Sequence, residues 1–164
     1  VEDGEVVFAA GLGFAVLATP GHTRGHVVYH AAGARAAWTG DTLFAAGCGR
    51  AAEETAATMW QSLCRLRALP PATRIRGGHD YALDNLDFAL SILPDDRALT
   101  IRRRAAERLA AAGRPADGAA LREERRSNIF LRADEPEVAR ALGLPGDTPP
   151  ERVFAALRER KDDW

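Results

Sequence analysis

The sequence predicts an α/β fold over its first part and a purely helical second part. Three observations carry this. Short apolar runs of strand length, punctuated by glycine and proline, fill the first 40 residues. From Thr55 onward, apolar residues recur instead at helical spacing. Prolines at 70, 71 and 94 then cut the helical pattern into separate pieces. The division falls near Pro94, giving an α/β part over residues 1–94 and a helical part over 95–164.

Glu5–Ala9 and Phe14–Thr19 read as two strands of a hairpin, separated by Gly11 and Gly13. Thr19-Pro20-Gly21 is a turn, followed by strand candidates at Val27–Tyr29 and Ala36–Thr39, with Gly40, Gly47 and Gly49 marking a loop. Met59, Leu63 and Leu66 line one helix that ends at Pro70-Pro71. Arg74–Gly77 is a short strand. Leu86, Leu90 and Leu93 line a second helix, and Asp95 or Asp96 caps a third that runs to Gly113. Thr148-Pro149-Pro150-Glu151 combines an N-cap, a first-turn proline and a Glu three residues past the cap, so a last helix runs from there toward Lys161.

A length of 164 residues suits one domain, or one with an appendage, and 46% hydrophobic with 27% charged content excludes wholesale disorder. Net charge is −1, but residues 101–132 carry nine basic and four acidic side chains. That excess fits an anionic small molecule better than a nucleic acid. Cys48 and Cys64 do not make a disulfide framework and read as reduced thiols of a cytoplasmic protein. No uncharged run reaches membrane-spanning length without Gly or Pro, and no signal peptide is evident, so neither membrane nor nucleic acid is expected as a partner. The chain starts at Val1 rather than Met, which reads as a processed chain or an internal piece of a longer one.

Three turns carry candidate chemistry. His22 lies in Thr19-Pro20-Gly21-His22-Thr23-Arg24-Gly25-His26, where a proline and two glycines hold an imidazole at a strand end. His22, His26 and His30 are spaced four apart, but Gly25 and the strand-like Val27-Val28-Tyr29 argue against a zinc-binding helix. Asp41 follows the apolar strand that ends at Thr39-Gly40, the strand terminus where α/β sheets place ligands, and its two oxygens suit it to bridge two cations. His79 follows Arg76-Gly77-Gly78 after another short strand. Nitrogen and oxygen donors without a cysteine pair suit zinc, iron or manganese.

The segments Thr-Pro-Gly-His-Thr-x-Gly-His (19–26), Thr-Gly-Asp-Thr-Leu-Phe-x-x-Gly-Cys-Gly-Arg (39–50) and Gly-His-Asp-Tyr-x-x-x-Asn-Leu-x-Phe-Ala (78–89) resemble the glyoxalase II family. Its members are hydroxyacylglutathione hydrolases of the metallo-β-lactamase superfamily. Ser-Asn-Ile-Phe-Leu-Arg (127–132) and Leu-Arg-x-x-Lys-Asp (157–162) are similar to that family's helical domain. The resemblance implies the second half of an αββα sandwich followed by the helical domain. It implies two divalent metal ions, zinc first with iron or manganese as alternatives, held by His22 and His79 and bridged by the catalytic Asp41. It implies a glutathione thioester held by Arg50, Tyr81, Asn85, Arg158 and Lys161, with S-D-lactoylglutathione hydrolysed to D-lactate and glutathione by a monomeric whole protein. A sulfur dioxygenase of the same superfamily and an inactive fragment are the alternatives.

Three departures stand out. The family motif Thr-His-x-His-x-Asp-His is absent, and this chain alone is expected to be inactive. Ala51-Ala52 stands where the family carries aromatics, and Asp80 replaces a usual Glu. Among the remaining polar residues, Cys48 reads as a packing residue, His26 and His30 as structural or supporting, and Arg102-Arg103-Arg104 as a solvated helix face.

Overall fold

Ala10 and Gly11 both adopt positive φ, 48° and 76°, and this two-residue turn joins β1 (Val6–Ala9) to β2 (Leu12–Ala18). Turns of that kind match the right-handed twist of their strands, so the bend sits at Ala10-Gly11 and Gly13 belongs to the strand. The computed structural model, which describes all 164 residues, continues with β3 (Val27–Ala31) and β4 (Ala36–Gly40). These are antiparallel neighbours in chain order. The helix α1 (Ala56–Arg67) then crosses over and returns the chain in β5 (Arg74–Gly77), parallel to β4.

The register puts Val28, Ala37 and Ile75 on one face of the sheet, where they enter the core. The opposite face carries Phe14, Tyr29 and Trp38. Phe14 and Trp38 meet edge to face at 5.4 Å, and Trp38 stays 41% exposed.

The helical region comprises α2 (Ala82–Ile92), α3 (Arg97–Ala111), α4 (Leu121–Ser127), a 3-10 turn (Ile129–Arg132), α5 (Pro136–Ala141) and α6 (Pro150–Asp162). It does not form a core of its own. One cluster of 29 buried residues runs from Val28 and Ala37 through Leu63 and Phe88 to Leu157. At its centre the Phe130 ring stacks on Phe88 at 5.8 Å and meets Phe154 at 6.2 Å, and Phe154 lies 5.8 Å from Trp60. Two helices, α2 and α6, are thus joined through one ring of the 127–132 motif, and α1 is reached through Phe154. No helix is long and apolar enough to cross a membrane.

Asp96, not Asp95, caps α3, its Oδ1 accepting from the amides of Ala98 at 2.8 Å and Leu99 at 3.1 Å. The cap expected at Thr148 is not formed. Pro149 occupies the N-cap of α6 without a side-chain bond, because Pro150 already fixes the first helical φ and has no N–H to satisfy. Nothing in the periodicity announces α4 or α5, which at seven and six residues are too short to show a stripe. Arg102 also departs from expectation. It is turned inward and donates to Glu124 Oε1 at 2.5 Å and to Ser127 at 3.1 Å, while its neighbour Arg104 remains exposed.

Candidate metal centre

The three donor turns converge at one end of the sheet. The Nε2 of His22 lies 3.4 Å from Asp41 Oδ2, and the Nε2 of His79 lies 3.5 Å from Asp41 Oδ1. One carboxylate is therefore approached from both sides, each histidine facing a different oxygen. The two imidazoles thus stand on either side of the carboxylate. All three are partly open to solvent, as a site that admits a substrate requires.

Each donor is held from behind. His22 Nδ1 bonds the Arg50 carbonyl oxygen at 3.1 Å, which puts its proton on Nδ1 and leaves Nε2 free as a donor to a metal. His79 stacks on Tyr81 at 5.3 Å and meets the edge of Phe44 at 5.9 Å. Asp41 is fixed through its backbone, whose N–H donates to His26 Nε2 at 3.1 Å. That bond requires a bare Nε2, so His26 is the Nδ1–H tautomer and lies within reach of Thr42 Oγ1 at 3.0 Å and Thr19 Oγ1 at 3.1 Å. Burial pushes the His26 pKa down, which favours this neutral form although the Asp41 charge opposes it. His30 is likewise lowered by burial, and it sits on β3 away from this network.

Asp80 keeps both oxygens inside the chain, accepting from Ala82 N at 3.2 Å and Ala116 N at 2.9 Å. Cys48 is buried with its thiol pushed up to about 11 by burial, which agrees with a packing role.

Residues 80–164 match the family described as hydroxyacylglutathione hydrolase C-terminus, and residues 1–79 match the metallo-beta-lactamase superfamily. The chain belongs to the hydroxyacylglutathione hydrolase family. It is 48% identical over 163 residues to a hydroxyacylglutathione hydrolase of Rhodopseudomonas palustris (strain BisB5), covering 99% of this chain and 64% of that protein. A Rhodospirillum rubrum protein of the same name is 49% identical over 149 residues, covering 91% of this chain and 58% of its own length. The chain thus spans a little under two thirds of the length of these curated relatives.

Among solved structures, ETHE1 from Myxococcus xanthus superposes with a TM-score of 0.59 at 24% identity, over 97% of this chain and 50% of that one. TTHA1623, solved in a di-iron-bound form, gives 0.52 at 28% identity, over 80% and 47%. The fold is that of the metallo-β-lactamase superfamily, whose members use divalent metal ions. The donor set here, two imidazole nitrogens and a two-sided carboxylate, suits such ions chemically.

The residues that the family resemblance associates with glutathione divide into two groups. Arg50 and Tyr81 are exposed beside the metal-centre residues, Arg50 through its carbonyl on His22 and Tyr81 through its ring on His79. Lys161 pairs with Asp84 and lies 5.1 Å from the Phe88 ring centre. Asn85 and Arg158 are instead buried and spend polar atoms on the chain itself. Asn85 donates to Ala45 O at 3.2 Å, and Arg158 donates to Cys48 O at 3.2 Å and to Asp162 Oδ1 at 2.5 Å. Arg158 also lies over the Phe130 ring at 4.9 Å. Sequence reading passed over Glu124 altogether. Its partner, the Ala46 N–H, lies 78 residues away and leaves no mark in the sequence.

Proposed function

We propose that the protein hydrolyses S-(2-hydroxyacyl)glutathione thioesters, taking S-D-lactoylglutathione to D-lactate and glutathione. The observation that carries this reading is the approach of His22 and His79 to opposite oxygens of Asp41. His22 and His79 would each hold one divalent ion and Asp41 would bridge the two, with zinc the first expectation and iron or manganese the alternatives. Ions held there would supply Lewis acidity, lowering the pKa of water and favouring negative charge on the carbonyl oxygen.

The chain's own part is to hold and orient. Arg50 O and the Tyr81 ring fix the two imidazoles, and His26 fixes the backbone of Asp41. Arg50, Lys161 and Arg158 supply cations for the two glutathione carboxylates, with Tyr81 and Asn85 as further substrate contacts. Lys161 and Arg158 currently hold Asp84 and Asp162, so a ligand carboxylate would exchange with these internal partners. In the reaction, water oxygen bonds to the acyl carbon, the carbon–sulfur bond breaks and glutathione leaves as the thiol. We place the protein in the cytoplasm as a monomer, in keeping with two free thiols.

A single-iron oxygenase is the weaker reading. The 80–164 match is to the hydrolase family. The test uses this chain extended by the N-terminal segment of a relative such as the R. palustris hydrolase. Two metal ions per chain and thioester hydrolysis are expected, and Asp41→Ala is expected to lose most of both. Unchanged metal content in the Asp41 variant would remove it as the bridge.

A further inference from the structure

The loop from Asp41 to Arg50 makes a tight reversal at Phe44–Gly47, closed by Phe44 N to Gly47 O at 2.8 Å and Gly47 N to Phe44 O at 3.3 Å. Ala46 takes φ of 57° there, a left-handed conformation that costs a non-glycine residue about 1–2 kcal/mol. Every residue from Thr42 to Gly49 is buried. Backbone groups that point away from such a turn must find partners, because no water reaches them.

Four consecutive residues find them on side chains from the helical region. Asn85 on α2 donates Nδ2 to Ala45 O at 3.2 Å. Glu124 on α4 accepts the Ala46 N–H at Oε2, 2.9 Å. Asn128, at the start of the 3-10 turn, donates Nδ2 to Gly47 O at 3.0 Å. Arg158 on α6 donates Nη1 to Cys48 O at 3.2 Å. The partners lie 40, 78, 81 and 110 residues away in sequence. Glu124 is completely buried, its other oxygen takes Arg102, and Asn128 Oδ1 accepts from Phe130 N. No ligand can reach Glu124 in this arrangement.

The moulded turn leads directly into the metal centre. Gly49 lies so close to Asp41 that a Cβ there would run into the Asp41 carbonyl oxygen. One residue on, the Arg50 carbonyl orients His22.

We propose that Glu124 and Asn128, together with Asn85 and Arg158, are positioning residues of the metal centre, setting Asp41 and His22 through the backbone of residues 45–50. The 127–132 motif then has two jobs: Phe130 fills the core, and Asn128 with its upstream partner Glu124 shapes the loop. This rests on the reading that His22, Asp41 and His79 hold metal.

The test is nuclear magnetic resonance of the 15N-labelled 164-residue chain, carrying Glu124→Gln. Its comparison is Val153→Ala, a cavity variant in the same core but off the loop. The glutamine variant should move the Ala46 amide, the Asp41 amide and the His22 ring nitrogens, while Val28 and Ala37 stay in place. The cavity variant should lower stability without moving those loop and histidine signals. If Glu124→Gln leaves Asp41 and His22 where they were, the proposal fails. Should that variant not fold because Arg102 is left unpaired, the pair Arg102→Gln/Glu124→Gln removes both charges and is read in the same way.

A cobalt titration separates this proposal from the reading beneath it. Weakening by roughly tenfold in Glu124→Gln, against no change in Val153→Ala, is the expected result. The titration is run on the chain extended by a relative's N-terminal segment, as above. If Asp41→Ala and His79→Ala bind cobalt there as well as the unsubstituted extended chain, the metal reading falls, whatever the loop signals show. If those two lose cobalt while Glu124→Gln matches the cavity variant, only the positioning role falls.

Discussion

Two loops meet at the candidate metal centre, and they are built differently. The Thr19–His26 loop is held from the sheet and from the chain around α1, where Ser62 Oγ donates to Pro20 O at 2.6 Å and Glu53 accepts the Arg24 N–H at 2.9 Å. His26 returns to Thr19 through its ring and its backbone, and the nearby strand end supplies Thr42 and the Asp41 amide. The Asp41–Arg50 loop starts from the strand ends, through Thr39 and His26, but residues 45–48 are held from a distance, by polar side chains of four helical elements. His22 is prepared from both sides, its loop by the sheet and its ring by the Arg50 carbonyl. Asp41 is fixed by His26 from the sheet, whereas the backbone of residues 45–48 finds its side-chain partners only on the helical region. The boundary between the two matched families, at residues 79 and 80, thus runs between the 45–48 backbone and the side chains that hold it.

The largest effect should come from undoing the docking. Phe130 is fully buried and packs against Phe88 and Phe154. Phe130→Ala should cost about 3–5 kcal/mol, the range for removing a core phenylalanine. For a chain of this size that corresponds to a fall of roughly 10 °C in Tm. If the two loops differ as described, hydrogen exchange should rise at residues 44–48 well before it rises at 19–28. Equal loosening of both loops would show that the sheet does not hold its own loop independently.

A smaller effect should mark the locally built side. Gly40 has φ of 47°, and a Cβ there would lie 2.8 Å from His26 Nε2. Gly40→Ala would press on the imidazole that receives the Asp41 N–H. We expect a loss of about 1–2 kcal/mol in thermal unfolding, the cost of a left-handed alanine, with little change at residues 44–48. A neutral substitution would mean that His26 can step aside, and that its bond to Asp41 carries little.

The contrast between the loops also explains what could be read from the sequence. His22, Asp41 and His79 were legible because each follows an apolar strand and sits among Gly, Pro or Thr residues that make turns. Local chemistry announces a local device. Glu124 was not legible, because its partner is the backbone N–H of an alanine 78 residues earlier, and a backbone amide has no sequence signature. Arg102 was misread for the same reason. Within Arg102-Arg103-Arg104 nothing distinguishes the inward arginine until α4 brings Glu124 beside it. The strands and the long helices followed from periodicity, whereas α4 and α5 are defined by what they dock against. Asn85 and Arg158 were singled out only through family resemblance, as glutathione contacts, and nothing local in the sequence tells that their polar atoms are turned onto the 45–48 backbone.

The smallest effect concerns how the helical region is tied together around Phe130, and it can be isolated with acid. Asp96 caps α3 through Ala98 and Leu99 and also receives Arg132 Nη1 at 2.6 Å, which links the 127–132 motif to the helix start. Burial pushes the Asp96 carboxyl up, but the Arg132 guanidinium and the two amides outweigh it and hold the group below its ordinary value of 3.8. A carboxyl whose pKa is depressed by folding binds its proton more readily in the unfolded chain. Its contribution to stability is therefore fully present above pH 3.8 and is lost as the pH falls through the lower, folded value. Asp96→Asn keeps a capping oxygen but drops the charge, so it should remove the ion pair with Arg132 and spare most of the cap. Thermal unfolding of parent and variant should differ at about pH 6, with the parent more stable, and the gap should close as the pH drops below the normal carboxylate range. Because neither Asp96 nor Arg132 bonds the loop, exchange at residues 44–48 should change little at about pH 6. A variant gap that persisted unchanged into strong acid would show that Asp96 acts here as a cap alone, and that its charge on Arg132 contributes nothing.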